Sequence, residues 1–189
     1  MAGHYWVALL RGINVGTAKR VAMADLRAIV ESLGYQDVTT LLNSGNVVFR
    51  HPAKINLRSK ASPARAIEDA VKKRLGVSSA VIALRAAELD AILRDNPLVK
   101  PSRAPSLLLV ALVRDAAALS RLAVLAKQDW GREELACGRG AGYIWCPGGS
   151  IAGEVFTAVN KACGDGVTTR NWSTMLKLQA LTRRPTTHD

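Results

Sequence analysis

The order of its apolar segments constrains this chain more than any single motif does. "YWVALL", Tyr5 to Leu10, is a continuous apolar run of strand length, the pattern of a strand buried on both faces. Beyond a glycine-containing loop, Met23, Leu26, Ile29, Val30 and Leu33 recur at helical spacing, and Gly34 stands where a helix would stop. "VTTLL" and "NVVF" then read as a hairpin around Asn43-Ser44-Gly45-Asn46. Ser62-Pro63 is a cap with proline at the first helical position, opening a helix through Ile67, Val71 and Leu75 that ends at Gly76. "AVIAL", Ala80 to Leu84, is a fourth strand, and a short helix through Leu89, Ile92 and Leu93 ends at Asn96-Pro97.

After the proline-rich "NPLVKPSRAP" the pattern restarts. "SLLLVALV" predicts a strand, and Asp115 caps a helix bearing Leu119, Leu122 and Leu125. "EELAC" and "YIWC" pair around "GRGAG", and "GEVFTAVNKACG" predicts a helix stopping at Gly164. Thr168 or Thr169 is expected to cap a last helix, "RNWSTMLKLQAL", with Trp172, Met175 and Leu176 on one face. A β-α-β-β-α-β series with antiparallel hairpins is the ferredoxin-like topology. The expected fold is therefore α+β: two ferredoxin-like halves packed as one compact unit, residues 1–97 and 106–189, joined by a linker at 98–105. A doubly wound sheet is the runner-up, weakened by the hairpins, which need antiparallel neighbours.

Composition bounds the function. The net charge is +11, spread over both halves, and no acid occurs between Asp37 and Glu68, where Arg50, Lys54, Arg58, Lys60 and Arg65 fall. Such a balance attracts anionic metabolites or nucleic acid over long range, although many basic proteins bind neither specifically. The longest aliphatic run, Leu107 to Val113, is far short of a membrane span, and no basic segment precedes the first apolar run. Cys137, Cys146 and Cys163 are odd in number and widely spaced, which suits free thiols in a reducing compartment. A cytoplasmic protein without membrane contact is the expectation. His4, His51 and His188 have no partner at metal-ligand spacing, so no metal site is expected.

The first candidate site is "LLRGINVGTAKR". Gly12 and Gly16 enclose three residues rather than the four of a Walker A loop, and Thr17-Ala18 stands in place of Lys-Ser/Thr. The dinucleotide fingerprint is absent too, so no cofactor is expected. Arg11, Asn14, Lys19 and Arg20 beside a helix N-terminus can still hold an anion, although a plain strand-to-helix connection accounts for the same residues. In a ferredoxin-like half the hairpin turns over at the end where the first strand finishes. Asn43, Ser44 and Asn46 should then stand beside Arg11 and Asn14, although Asn, Ser and Gly are also what a tight turn requires. The third candidate is "TTRNW", where Arg170 and Asn171 fall in the first turn of the last helix and Arg170, opposing the helix dipole, invites an anion or an acid of the other half. Asp25 supports the end of the first helix, Glu133-Glu134 lead a strand, and no nucleophile-base pairing can be built.

At these three stretches the sequence resembles a bacterial family known only as domain of unknown function 1697. The resemblance rests on "VALLRGINVG" followed by "MADLR", "LNSGNVVF", "NPL" and "TTRNWSTMLKL", spanning residues 5 to 181. It implies a cytoplasmic α+β protein of paired ferredoxin-like subdomains and carries over no reaction and no catalytic residue. Asn43 stands for the family's usual Gln, Ser173 for its Asn, Thr17-Ala18 for a Gly-Lys-type loop, and Gly153-Glu154 for a Ser-Lys pair. If that last pair helps bind an anion in relatives, this chain binds it less well. Three functions remain open: a binding module for a phosphate-bearing or nucleic-acid ligand at a polar end pocket, a small phosphate-ester or acyl-phosphate hydrolase, and a non-catalytic interaction protein. Ligand identity and oligomeric state are left open.

Overall fold

A computed structural model describes residues 4–16, 19–52, 62–149 and 153–184 of the chain. Thr17, Ala18, Lys54, Arg58, Lys60 and His188, singled out above, lie outside the described residues, as do positions 150–152 of "CPGGSIAGEVF". The elements run β1 (His4–Leu10), α1 (Met23–Ser32), β2 (Gln36–Leu41), β3 (Asn46–His51), α2 (Pro63–Leu75), β4 (Val81–Arg85) and α3 (Ala86–Arg94). They continue with β5 (Leu108–Val113), α4 (Ala116–Leu125), β6 (Glu134–Cys137), β7 (Ala141–Trp145), α5 (Glu154–Cys163), β8 (Val167–Asn171) and α6 (Trp172–Thr182). No helix among the described residues is long and apolar enough to cross a membrane.

Two four-stranded antiparallel sheets form, in the orders β2-β3-β1-β4 and β6-β7-β5-β8. Each is the strand order of a ferredoxin-like half. Contacts divide the chain into a first unit, Met1–Leu89 with Leu178–Asp189, and a second, Asp90–Lys177.

In the first unit, α1 and α2 cover one face of the sheet. Alternate residues of β1 (Ala8, Leu10) and β3 (Val47, Phe49) meet Leu26, Ile29 and Val30 of α1 and Ile67 and Val71 of α2. The intervening residues Val7, Leu9, Val48 and Ile82 are buried as well, which is why β1 is apolar throughout instead of alternating. Helix α2 begins and ends on local chemistry: Ser62 Oγ accepts from Arg65 N, Pro63 fits the first position, and Gly76 closes the helix at φ +68°.

In the second unit, α4 and α5 cover Leu109, Ala111, Ile144 and Val167. The opposite face holds Leu108, Val110, Leu112 and Tyr143, all buried, and the Tyr143 hydroxyl donates to the Ile92 carbonyl of α3 at 2.7 Å. The proline-rich segment is tied down by Arg103, which pairs with Glu134 and lies 4.9 Å over the Trp145 ring.

Three details differ from the sequence reading. Val167–Asn171 is a strand, β8, paired with β5, where a helix cap was expected: the β-branched run Val-Thr-Thr suits a sheet edge, and threonine serves caps equally well. Leu176 is exposed, and Leu178 joins Trp172 and Met175 in the buried set of α6. Leu42 belongs to the turn, at φ +58°, instead of to β2.

Candidate functional site

The end of β1 and the turn of the β2-β3 hairpin lie together. The Leu10 amide donates to the Gly45 carbonyl at 2.9 Å, and Leu9 pairs with Asn46 across the ladder. Beyond Leu10 the backbone changes hand repeatedly, with positive φ at Gly12 (+63°), Asn14 (+55°), Gly16 (+61°) and Lys19 (+51°). Glycine and asparagine meet this at little cost, and the Asn14 amide closes the loop by donating to the Lys19 carbonyl at 3.1 Å.

Asn14 holds the loop in shape. Its side-chain amide donates to the Val21 carbonyl at 2.8 Å and the Asn43 carbonyl at 2.7 Å, while its Oδ1 accepts from Val21 N at 2.9 Å. Asn46 does the same inside the hairpin: fully buried, it donates to Leu41 O and Ser44 Oγ, both at 2.9 Å. These two amides are engaged with the protein itself. Arg11 is half-buried, its amide bonded to Ala80 O at 2.8 Å and its carbonyl accepting from Ser79 Oγ at 2.8 Å. Lys19, Arg20, Asn43 and Ser44 are exposed. Arg11, Asn14, Lys19, Arg20, Asn43, Ser44 and Asn46 thus share one end of the first unit.

Arg170 and Asn171 belong to the second unit and do not occupy a helical turn. Arg170 lies in β8 opposite Val110, on the face that also carries Tyr143. Its guanidinium donates to Thr168 Oγ1 at 3.0 Å and Thr169 O at 2.8 Å, and burial brings it down to about 10, so it stays charged at neutral pH. Asn171 is the cap of α6, its Oδ1 accepting from Thr174 N at 2.9 Å.

The helix starts fall into two kinds. Ser62 serves α2, Glu88 bonds Arg85 N at the start of α3, Asp115 accepts from Ala118 N in α4, and Asn171 serves α6. Gly153 supplies no cap to α5, but the Glu133 carboxylate does, accepting from Glu154 N at 3.2 Å and Val155 N at 2.8 Å. The stretch around Gly153-Glu154 therefore has its own carboxylate at the helix end. Helix α1 differs: Ala22 at its N-cap makes no side-chain bond, and the exposed Lys19 and Arg20 come just before it. Asp25 supplies an acid in its first turn.

A second polar cluster carries no motif. The Asp37 carboxylate accepts from Arg50 Nε at 2.6 Å and from the Tyr5 hydroxyl at 3.4 Å, and burial beside that carboxylate raises the Tyr5 pKa. Asp37 has φ +52° at a break in the β2-β3 register. Alternation along β1 and β3 puts Tyr5 and Arg50 on one face, the only signal that could have found it. On strand β3 Phe49 is wholly buried toward the helices and offers no face to a stacked base, while the half-buried His51 ring lies 6.2 Å from Trp6 and 5.4 Å from Tyr35. No group of three or more His, Cys, Asp or Glu side chains among the described residues could hold a metal ion. Cys137, Cys146 and Cys163 are free thiols.

Comparison with known proteins follows the same lines. A conserved bacterial protein, SP0830 from Streptococcus pneumoniae, is similar in fold, with a TM-score of 0.77 and 21% identity over 97% of this chain and 100% of that one. No curated protein matches. A family model described as protein of unknown function (DUF1697) matches residues 4–143, well over half of the chain and inclusive of the loop and the hairpin. The chain therefore belongs to the DUF1697 family.

Proposed function

We propose that this protein is a cytoplasmic binding module whose first unit takes an anionic ligand, a phosphate-bearing small molecule or a nucleic-acid backbone, at the end formed by the 11–20 loop and the β2-β3 turn. The observation that carries the reading is the start of α1. Helix N-termini concentrate unpaired N–H groups and positive potential. At α2 to α6 a side-chain oxygen answers this, whereas Ala22 has none to offer and Lys19 and Arg20 stand beside it. The net charge of +11 would draw polyanions toward such an end. Hydrolysis of an acyl phosphate finds less support at Asn46, whose amide is engaged with the protein, and would fall to the exposed Asn43.

The test is titration of the full chain with inorganic phosphate and with a fluorescent single-stranded oligonucleotide at low and high salt. Binding should weaken steeply with salt and fall by about tenfold in a Lys19→Ala/Arg20→Ala double variant. Absence of binding at low salt, or binding indifferent to the double variant, would refute the reading.

A further inference from the structure

A cleft of about 490 Å³ opens in the first unit at the edge strand β2, away from the 11–20 loop, and all its lining residues belong to that unit. Its size is that of a site for one small molecule. Its charges are of both signs. Glu31 and Asp37 contribute carboxylates, Arg27 and Arg184 guanidinium groups, and Tyr5 and Thr39 hydroxyls, while the half-buried Leu181 supplies apolar surface.

The carboxylates are not equally occupied. Arg27 pairs with Glu31 at 2.8 Å with both side chains about half exposed, an ion pair that solvent holds only weakly. Asp37 is fixed more firmly, but Arg50 Nε and the Tyr5 hydroxyl both end on its Oδ2, and Oδ1 carries no bond among the described residues. Arg184, exposed at the rim, forms no ion pair among the described residues. The cleft thus offers one open carboxylate oxygen, one open guanidinium and an apolar surface in a single cavity. The backbone adds to this, since Asp37 takes φ +52° in a strand whose register shifts there, a conformation that aims its carboxylate where a regular strand would not.

We infer that this cleft binds a small zwitterionic peptide, of dipeptide size with an aliphatic side chain, its ammonium on Asp37, its carboxylate on Arg184 and its side chain against Leu181. A carboxylate meets a guanidinium by two parallel hydrogen bonds, and an ammonium brings three donors to an oxygen that already has lone pairs to give. Net charge would not recruit such a ligand, so this site is independent of the anion reading above.

The probe is glycyl-L-leucine titrated into the isotopically labelled full chain, with backbone amide shifts followed by NMR. Shifts should concentrate at Tyr5, Thr39 and Arg184. N-acetyl-glycyl-L-leucine, which lacks the ammonium, and glycyl-L-leucinamide, which lacks the carboxylate, should each bind about tenfold more weakly. Asp37→Asn should weaken binding by a similar factor and still fold, because asparagine accepts positive φ at least as readily as aspartate. Arg184→Gln, at an exposed position, should act likewise. No shift in the cleft at roughly 20 mM peptide, equal binding of the blocked peptides, or shifts confined to the Lys19-Arg20 loop would overturn the inference.

Discussion

The side-chain amide of Asn14 donates to the main-chain carbonyl of Asn43 at 2.7 Å, joining two loops 29 residues apart in sequence. The same side chain also makes both bonds to Val21, so loop, hairpin and the approach to α1 depend on one residue. Asn14→Ala removes all of these and puts alanine at φ +55°. With about 1 kcal/mol per net hydrogen bond and a further ~1 kcal/mol of backbone strain, the loss should be about 2–4 kcal/mol in urea unfolding. Asn14→Gly relieves the strain and should fall between alanine and the parent. A loss under about 0.5 kcal/mol for alanine would mean that the loop is held by something else.

Gly45 and Gly12 offer a contrast at the same end of the unit. Both have positive φ, but a Cβ on Gly45 would lie 2.7 Å from Ile13 Cδ1 and 2.8 Å from Leu10 Cβ, whereas one on Gly12 meets nothing within 4 Å. Gly12→Ala should cost only the backbone term, about 1 kcal/mol. Gly45→Ala should cost that plus overpacking of a buried turn, about 2–4 kcal/mol in all. The comparison is read from the two denaturation midpoints, and equal losses would contradict the packing described for the turn.

The parts legible in the sequence are those fixed by periodicity and punctuation. The uninterrupted burial of Val7 to Leu10, the Ser62-Pro63 start and the Gly76 stop all follow from local chemistry. Even the nearness of Asn14 to Asn43 follows from topology once the strand order is accepted. What could not be read was the direction of side chains. The amides of Asn14 and Asn46 look the same in a sequence whether they face a ligand or a backbone carbonyl. Thr168 or Thr169 reads as a cap because threonine satisfies both strands and caps, and only the pairing of β8 with β5 decides between them. Tyr5 and Arg50 face each other in the β1-β3 ladder, but Asp37 joins them at a break in the β2-β3 register that leaves no mark on spacing.

Helix α5 depends on a carboxylate from outside its own sequence. Glu133 satisfies the amides of Glu154 and Val155, and no side chain at Gly153 can replace it. Glu133→Ala should destabilise the protein by about 1–2 kcal/mol, the usual range for a lost N-cap. Glu133→Gln keeps an acceptor oxygen but loses the charge at the helix N-terminus, so it should cost a fraction of that. Chemical denaturation of both variants checks the order, and a glutamine variant as unstable as the alanine one would locate the effect in charge alone.

Alkaline pH should act on the molecule through groups that burial keeps protonated. Burial pushes the Tyr143 hydroxyl up to about 12 and the Cys146 thiol up to about 11, and it raises Tyr5, Tyr35 and Cys137 as well. Each group is protonated below its unfolded value in both states, so its contribution to stability is complete there. As pH rises past the unfolded value, about 8.5 for cysteine and 10 for tyrosine, the unfolded chain alone ionises. Stability should therefore fall from roughly pH 9 upward and continue falling until the folded values are passed near 11 and 12. Tyrosinate absorbance at 295 nm should rise together with the loss of circular dichroism, because Tyr143 ionises once its bond to Ile92 O is broken. The thiol of Cys146 should resist a disulfide reagent at pH 8 in the folded protein and react in denaturant. A Tyr143→Phe variant should lose the hydrogen bond but also part of the alkaline slope, becoming less stable at pH 7 yet less sensitive between pH 10 and about 12. An unchanged slope in that variant would mean that Tyr143 titrates alike in both states and that its burial does not control its ionisation.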